Sequence, residues 1–384
     1  MGGISDLGVY LHYPWCRKLC PYCDFAVEVG APEHEGYLAA VMRELEARAG
    51  RFSGNLVSIY FGGGTPSLWE PACVGKAIAA IEGRFGGTPR EITLEANPTD
   101  CTAERLAAWR DAGVTRLSIG VQSLVQDELV TLGRDHRFGD GMAAIERVLA
   151  FGGFDVSADF ILGVPPQVVP VARSKSGLLH SGPDWAAVTA LPIDHLSVYE
   201  LTIEDRTAFG QRVKSGRLVP LDEDALTELY VATHETLTAA GFEHYEISSY
   251  ARPGKRAVHN SLYWIGAPFL GLGVGAASLA VAADGSGERA TNPRKAREYM
   301  AAPGVPAEST AIGVAEMAAD RAWLGMRTVD GVAETALPPG VTRWLLDEKL
   351  AERRRGIGNA DRICPTLRGF LMADRIAARI VDAL

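Results

Sequence analysis

From residue 8 to residue 200 the chain alternates short β-rich runs with helix-patterned segments, which restricts it to β/α units built on a parallel sheet. The six runs are Gly8 to His12, Leu56 to Phe61, Ile92 to Ala96, Arg116 to Val121, Val156 to Leu162 and His195 to Glu200. Between them, Leu38, Val41, Met42 and Leu45 share one face of a helix expected over Tyr37 to Ala49. Ser67 with Glu70 forms a capping-box pattern for a second helix. Six strands with helical crossovers can form an open doubly wound sheet or an incomplete barrel, and periodicity does not choose between them.

A chain of 384 residues exceeds the reach of one hydrophobic core, so a large domain with a smaller appendage is expected. "AAPGVPAEST" at 301–310 has the composition of a linker dividing residues 1–300 from 301–384. Beyond it, "RWLLDEKLAERRR" and "TLRGFLMADRIAARIV" read as two amphipathic helices around a Gly-containing hairpin, a winged-helix-like arrangement. Arg353 to Arg355 read as a solvated helix end rather than a DNA contact, and the net charge of -9 also argues against nucleic acid as a partner. Gln167 to Asp184 mixes Pro, Ser, Gly and Lys without periodicity.

Ala257 to Ala283 contains no Asp, Glu, Lys or Arg and is long enough to cross a bilayer. His259, Asn260, Ser261, Pro268 and several glycines interrupt it, so it reads as buried backbone lining a site, and no transmembrane segment is expected. The start, MGGISDLG, has no basic region followed by an apolar stretch, so a cytoplasmic location is expected. Cysteines there are reduced, and the scattered Cys73, Cys101 and Cys364 read as small buried hydrophobes.

The other three stand in "HYPWCRKLCPYCDF" as Cys16-x3-Cys20-x2-Cys23, directly after the first strand. Closed zinc sites and Fe-S clusters normally take four protein ligands. Three thiolates hold a cubane with one iron open to a small molecule. This spacing resembles the signature of the radical S-adenosylmethionine (SAM) superfamily, in which the amino and carboxylate groups of SAM chelate that iron.

Further motifs narrow the resemblance: "YFGGGTPS" at 60–67, "LEANP" at 94–98, "RLSIGVQS" at 116–123, "LGRDH" at 132–136, "DFILGVP" at 159–165 and "HLSVYELTIE" at 195–204. Together they are similar to the oxygen-independent coproporphyrinogen III oxidase-like family over nearly the whole chain. That resemblance implies an α/β fold, a partial (β/α)6 barrel with a C-terminal winged-helix-like domain. It implies SAM contacts at Tyr10, Tyr22, Gly63, Gly64, Thr65, Glu95, Gln122, Arg134, Asp159 and Thr202, with the cluster on Cys16, Cys20 and Cys23. The residue types suit those roles: glycines at a strand end let backbone approach a ligand, and Glu95, Gln122 and Asp159 stand near strand ends, where parallel barrels collect their ligands.

Within that family, oxidases carry a further cysteine two residues after the third and a long segment ahead of the motif. Here that position is Phe25, and the motif starts at Cys16. Both features resemble the heme-chaperone branch of the HemW type, as does "HNSLYW" at 259–264, which matches that branch's HNxxYW element. A His beside aromatic residues can supply axial imidazole and stacking surface to a porphyrin, making His259 the candidate heme contact. The chain departs from many relatives at Ala257, where they have Cys, and at Gly275-Ala276-Ala277-Ser278, where they have "GAHS".

The resemblance therefore implies a heme chaperone with a 4Fe-4S cluster, SAM and heme as cofactors, handing heme to a hemoprotein acceptor, with peripheral contact to membrane hemoproteins compatible with that role. The alternative is catalytic: oxidative decarboxylation of coproporphyrinogen III, or radical methylation.

Overall fold

The computed structural model describes residues 6–165, 183–356 and 361–383, so most of the 167–184 stretch lies outside the described residues. All six expected runs are strands: β1 (Asp6–Tyr13), β2 (Asn55–Gly63), β3 (Glu91–Ala96), β4 (Arg116–Gln122), β5 (Asp155–Leu162) and β6 (His195–Glu200). They lie side by side in chain order, every neighbouring pair parallel, as in Tyr10 opposite Tyr60, Leu94 opposite Leu117 and Ser157 opposite His195.

This is the partial (β/α)6 barrel rather than a doubly wound sheet, because the six strands follow one another in unbroken chain order. Among the described residues, further strands extend both edges. Beyond β6 come β7 (Glu243–Glu246) and β8 (Ser249–Ala251), with β8 antiparallel to β6. Beside β1 runs β9 (Phe269–Gly273), parallel to it, followed by antiparallel β10 (Ala277–Val281), β11 (Gly287–Thr291) and β12 (Glu308–Ile312).

The core forms between this sheet and the crossover helices. Leu7, Val9, Leu11 and Tyr13 of β1 are fully buried, as are Val74, Ala77 and Ile81 of the helix Pro71–Phe85. The first helix, His34–Arg48, buries a charged pair as well. Arg48 donates to Glu44 at 2.8 Å, and the same carboxylate accepts from the Gly273 amide, the Asn292 side chain and the Tyr299 hydroxyl. A buried ion pair is tolerable when its remaining hydrogen-bonding capacity is satisfied, and this one ties the outer helix to the strands added beside β1.

Three local expectations are corrected. Ser67 does not cap a helix: it lies in the short 3-10 turn Pro66–Leu68 and donates to Asp100 at 2.6 Å, while the helix starts at Pro71 with Glu70 as N-cap. Proline at the first helical position supplies the start that the Ser/Glu pattern seemed to mark. The 301–310 stretch is not a free linker, since β12 pairs with β11 from Glu308. Finally, Arg353 to Arg355 form part of a strand, Ala351–Arg355, antiparallel to Asp361–Pro365.

The second C-terminal amphipathic pattern splits into Leu367–Leu371 and Ala373–Val381. With Pro339–Asp347 and a third strand, Val332–Ala333, these pieces pack around Leu345, Ile363, Ile376 and Ile380 as a winged-helix-like unit. No helix among the described residues is long and apolar enough to cross a membrane.

Candidate functional site

The carboxyl ends of all six strands converge on one cavity of about 350 Å³. After β1 come Cys16, Cys20, Tyr22 and Cys23; β2 and the turn after it supply Gly63, Gly64 and Thr65; Glu95 comes from β3, Gln122 from β4, Asp159 from β5, and Thr202 from the segment after β6. Arg134 enters from the turn after the short helix Gln126–Thr131, in the connection between β4 and β5. Twelve sequence-derived candidates thus line the same wall.

The cysteine loop is braced on several sides. The Cys23 amide donates to the Cys20 carbonyl at 3.1 Å, and the Thr65 amide to the Trp15 carbonyl at 3.0 Å. Buried His12 places Nε2 2.9 Å from the Ala26 carbonyl, and Arg17 pairs with Asp100, itself held by Ser67. Burial pushes the Cys16 thiol up to about 11 and raises that of Cys23, so both hold their protons until a metal displaces them. Among the described residues no set of three or more His, Cys, Asp and Glu converges on a single ion. A cubane does not require that, because each thiolate binds a different iron at a different corner.

Gly63 and Gly64 are required by space. Gly63 has a φ of 111°, and a Cβ there would lie 2.6 Å from the His12 ring; a Cβ on Gly64 would lie 2.7 Å from the Pro14 carbonyl oxygen. The Gly63 amide donates to Glu95 at 3.2 Å, and Tyr60 donates to the other oxygen of that carboxylate at 2.8 Å. Burial, then the charge of Asp159, pushes Glu95 up to about 7. Asp159 is also raised by burial, against hydrogen bonds from Ser197 and Ser118, the latter at 2.9 Å.

Two buried carboxyl groups that repel each other favour a cationic ligand. On the same wall Gln122 sits in the left-handed region, φ 67°, where the register between β4 and β5 shifts. Arg134 donates to the Gly120 carbonyl at 3.2 Å, yet its Nε is buried without a partner. Backbone open at glycines, two carboxyls and an unpaired guanidinium N–H match the chemistry of a SAM molecule with its ammonium, sulfonium, carboxylate and ribose groups.

Two candidates are elsewhere. Tyr10 is not on the cavity wall: it lies against Tyr60 with ring centroids 6.0 Å apart, its hydroxyl 3.1 Å from His12 Nδ1. His259 belongs to the helix Val258–Trp264, which sits at the amino ends of the strands, away from the cysteines. It is 1% exposed; Nδ1 is 2.9 Å from the Ser58 hydroxyl and Nε2 is 2.8 Å from the Tyr263 hydroxyl. With both ring nitrogens engaged inside the barrel, it does not present an axial ligand.

Residues 10–168 match the Radical SAM superfamily. The heme chaperone HemW of Escherichia coli (strain K12) is 35% identical over 77% of this chain and 76% of its own length. The chain belongs to the HemW family. The heme chaperone HemW of a Synechocystis strain is 30% identical over 99% of this chain and 98% of its own length, so the likeness to HemW includes the C-terminal unit. A mouse protein, radical S-adenosyl methionine domain-containing protein 1, mitochondrial, is 39% identical, and the chain spans 59% of its length. Among solved structures, coproporphyrinogen III oxidase (HemN) from Escherichia coli superimposes with a TM-score of 0.77 over 99% of this chain and 91% of the other, at 19% identity, which carries the fold alone.

Membership of this family implies the 4Fe-4S cluster and SAM. Further wall residues lie inside the quoted motifs without having been singled out: Tyr60, Asn97, Ser118, Ile161 and Tyr199. Strand parity could have found three of them. Ser118 stands at an even offset from Gln122, Asn97 from Glu95 and Ile161 from Asp159.

Proposed function

We propose that this protein is a heme chaperone that carries a 4Fe-4S cluster and SAM and delivers heme to a hemoprotein acceptor in the cytoplasm or at the membrane surface. The observation that carries the reading is the convergence of the three cysteines with Gly63, Gly64, Glu95, Arg134 and Asp159 on one cavity, in a chain 35% identical to a heme chaperone over three quarters of both lengths. Cys16, Cys20 and Cys23 hold the cluster. Tyr22, Thr65, Gln122 and Thr202 complete the SAM pocket with those five residues.

When bound, the cluster and SAM supply one-electron chemistry; the chain binds, orients and shields them. Glu95 and Asp159 meet the cationic groups, the backbone at Gly63 and Gly64 allows close approach, and Arg134 offers its free Nε–H to a carboxylate. Phe25, 66% exposed at the mouth, stands where the oxidases have a further cysteine. That substitution, together with the HNSLYW element, favours carriage over decarboxylation. Because His259 is enclosed, heme attachment through its imidazole is not part of the proposal.

The test is anaerobic titration of the reconstituted protein with heme, followed at the Soret band, beside a turnover assay with coproporphyrinogen III and SAM. Saturable heme binding without porphyrinogen consumption is expected. Turnover without heme binding would make the protein an oxidase.

A further inference from the structure

The amino ends of the strands, opposite the cysteines, enclose a second cavity of about 480 Å³ whose surface is mostly polar. It is bounded by the starts of β3, β4 and β5 and by the turn 254–256 that leads into the helix Val258–Trp264. Four cations line it, and three are neutralised. Arg90 bonds Asp6 at 3.3 Å, Lys255 pairs with Asp155, and Arg256 bonds Glu243 at 2.9 Å and Asp330 at 2.7 Å.

The fourth is Arg116. It is 4% exposed, shares the inward face of β4 with Ser118, Gly120 and Gln122, and among the described residues makes no ion pair within 4.0 Å and no side-chain hydrogen bond. Glu91, which also lines the cavity, is the strongest acidic influence on Arg116, but it stands beyond ion-pair distance and its two oxygens accept the backbone amides of Val258 at 2.8 Å and His259 at 3.1 Å. Asp155 is taken by Lys255. A guanidinium with five donors and no protein acceptor at the wall of a polar cavity is open to an anion that enters it.

We propose that this cavity is an oxyanion site, in which Arg116 binds a phosphate or carboxylate group of a small molecule in bidentate fashion. Planar bidentate recognition of such groups is what an arginine supplies and a lysine does not. The site is separate from the cluster cavity, and a ligand in it would rest against Val258, the residue before the HNSLYW element.

The test uses the full chain and three probes at matched ionic strength: sodium phosphate, sodium succinate and sodium chloride. Titration calorimetry and thermal unfolding are compared for wild type, Arg116→Gln and Arg116→Lys. A saturable response of the wild type to phosphate or succinate beyond chloride is expected. It is abolished by Arg116→Gln and weakened about tenfold by Arg116→Lys. Phosphate alone identifies a phosphoryl group as the ligand; succinate alone identifies a carboxylate.

Without ligand, Arg116→Gln unfolds close to the wild-type temperature, because Arg116 makes no ion pair or side-chain hydrogen bond that the substitution would break. If Arg116→Gln does not fold, the Arg116→Lys comparison decides. No saturable response in the wild type, or equal responses in wild type and variants, overturns the proposal.

Discussion

Replacement of His259 by alanine separates an internal brace from a heme ligand. The imidazole is 1% exposed, bridges Ser58 and Tyr263, and lies 5.1 Å from the Tyr60 ring centroid. Tyr60 in turn donates to Glu95 in the cluster cavity. His259→Ala strands two hydroxyls, at about 1 kcal/mol each, and leaves a void where the ring packed, for a total of about 3 kcal/mol.

Burial holds His259 down to about 3, so it stays neutral from pH 5 to 8 and gives heme affinity no pH dependence in that range. Urea unfolding of the cluster-free protein should show the stability loss, while heme bound per folded chain, read at the Soret band, stays at the wild-type level. A variant with wild-type stability and no heme binding would refute this reasoning and restore His259 as the ligand.

Gly64→Ala should fold yet lose most SAM affinity in equilibrium dialysis, because its Cβ meets the rigid Pro14 carbonyl and displaces the turn. Glu44→Ala should cost about 3–5 kcal/mol in urea unfolding, since it leaves Arg48 buried without its counter-ion. Glu95 titrates near 7 in the folded, ligand-free chain against 4.5 for its ordinary value. Between those values the folded state binds more protons than the unfolded one, so Glu95 contributes a loss of stability as pH rises through that window. Glu95→Gln should flatten the fall in unfolding midpoint between pH 5 and 8, and an unchanged slope would remove Glu95 as its source.

The six barrel strands were legible to within two residues at each end, because each carries a dense apolar run between helical patterns, whereas the parallel β9 beside β1 was not anticipated. Cys16, Cys20 and Cys23 stood out by their spacing, and the structure brings all three to one cavity wall. Tyr10 and His259 lie off the wall of the cluster cavity, which their motifs did not reveal, since a motif gives residue type and neighbourhood but not depth along the barrel. Tyr10 pairs in register with Tyr60 below the glycine turn, and His259 reaches the barrel from the closing helix, facts set by tertiary packing. "AERRR" misled for a different reason: Arg suits a helix by propensity, but pairing with Asp361–Pro365 decides for a strand.

The cluster cavity is tested most directly by electron paramagnetic resonance of the anaerobically reconstituted, dithionite-reduced chain, recorded with and without SAM and accompanied by iron and sulfide analysis. The account predicts about four irons per chain, a reduced 4Fe-4S signal that changes shape when SAM is added, and loss of the signal in Cys20→Ala. A cluster signal indifferent to SAM, or one that survives removal of Cys20, would contradict it.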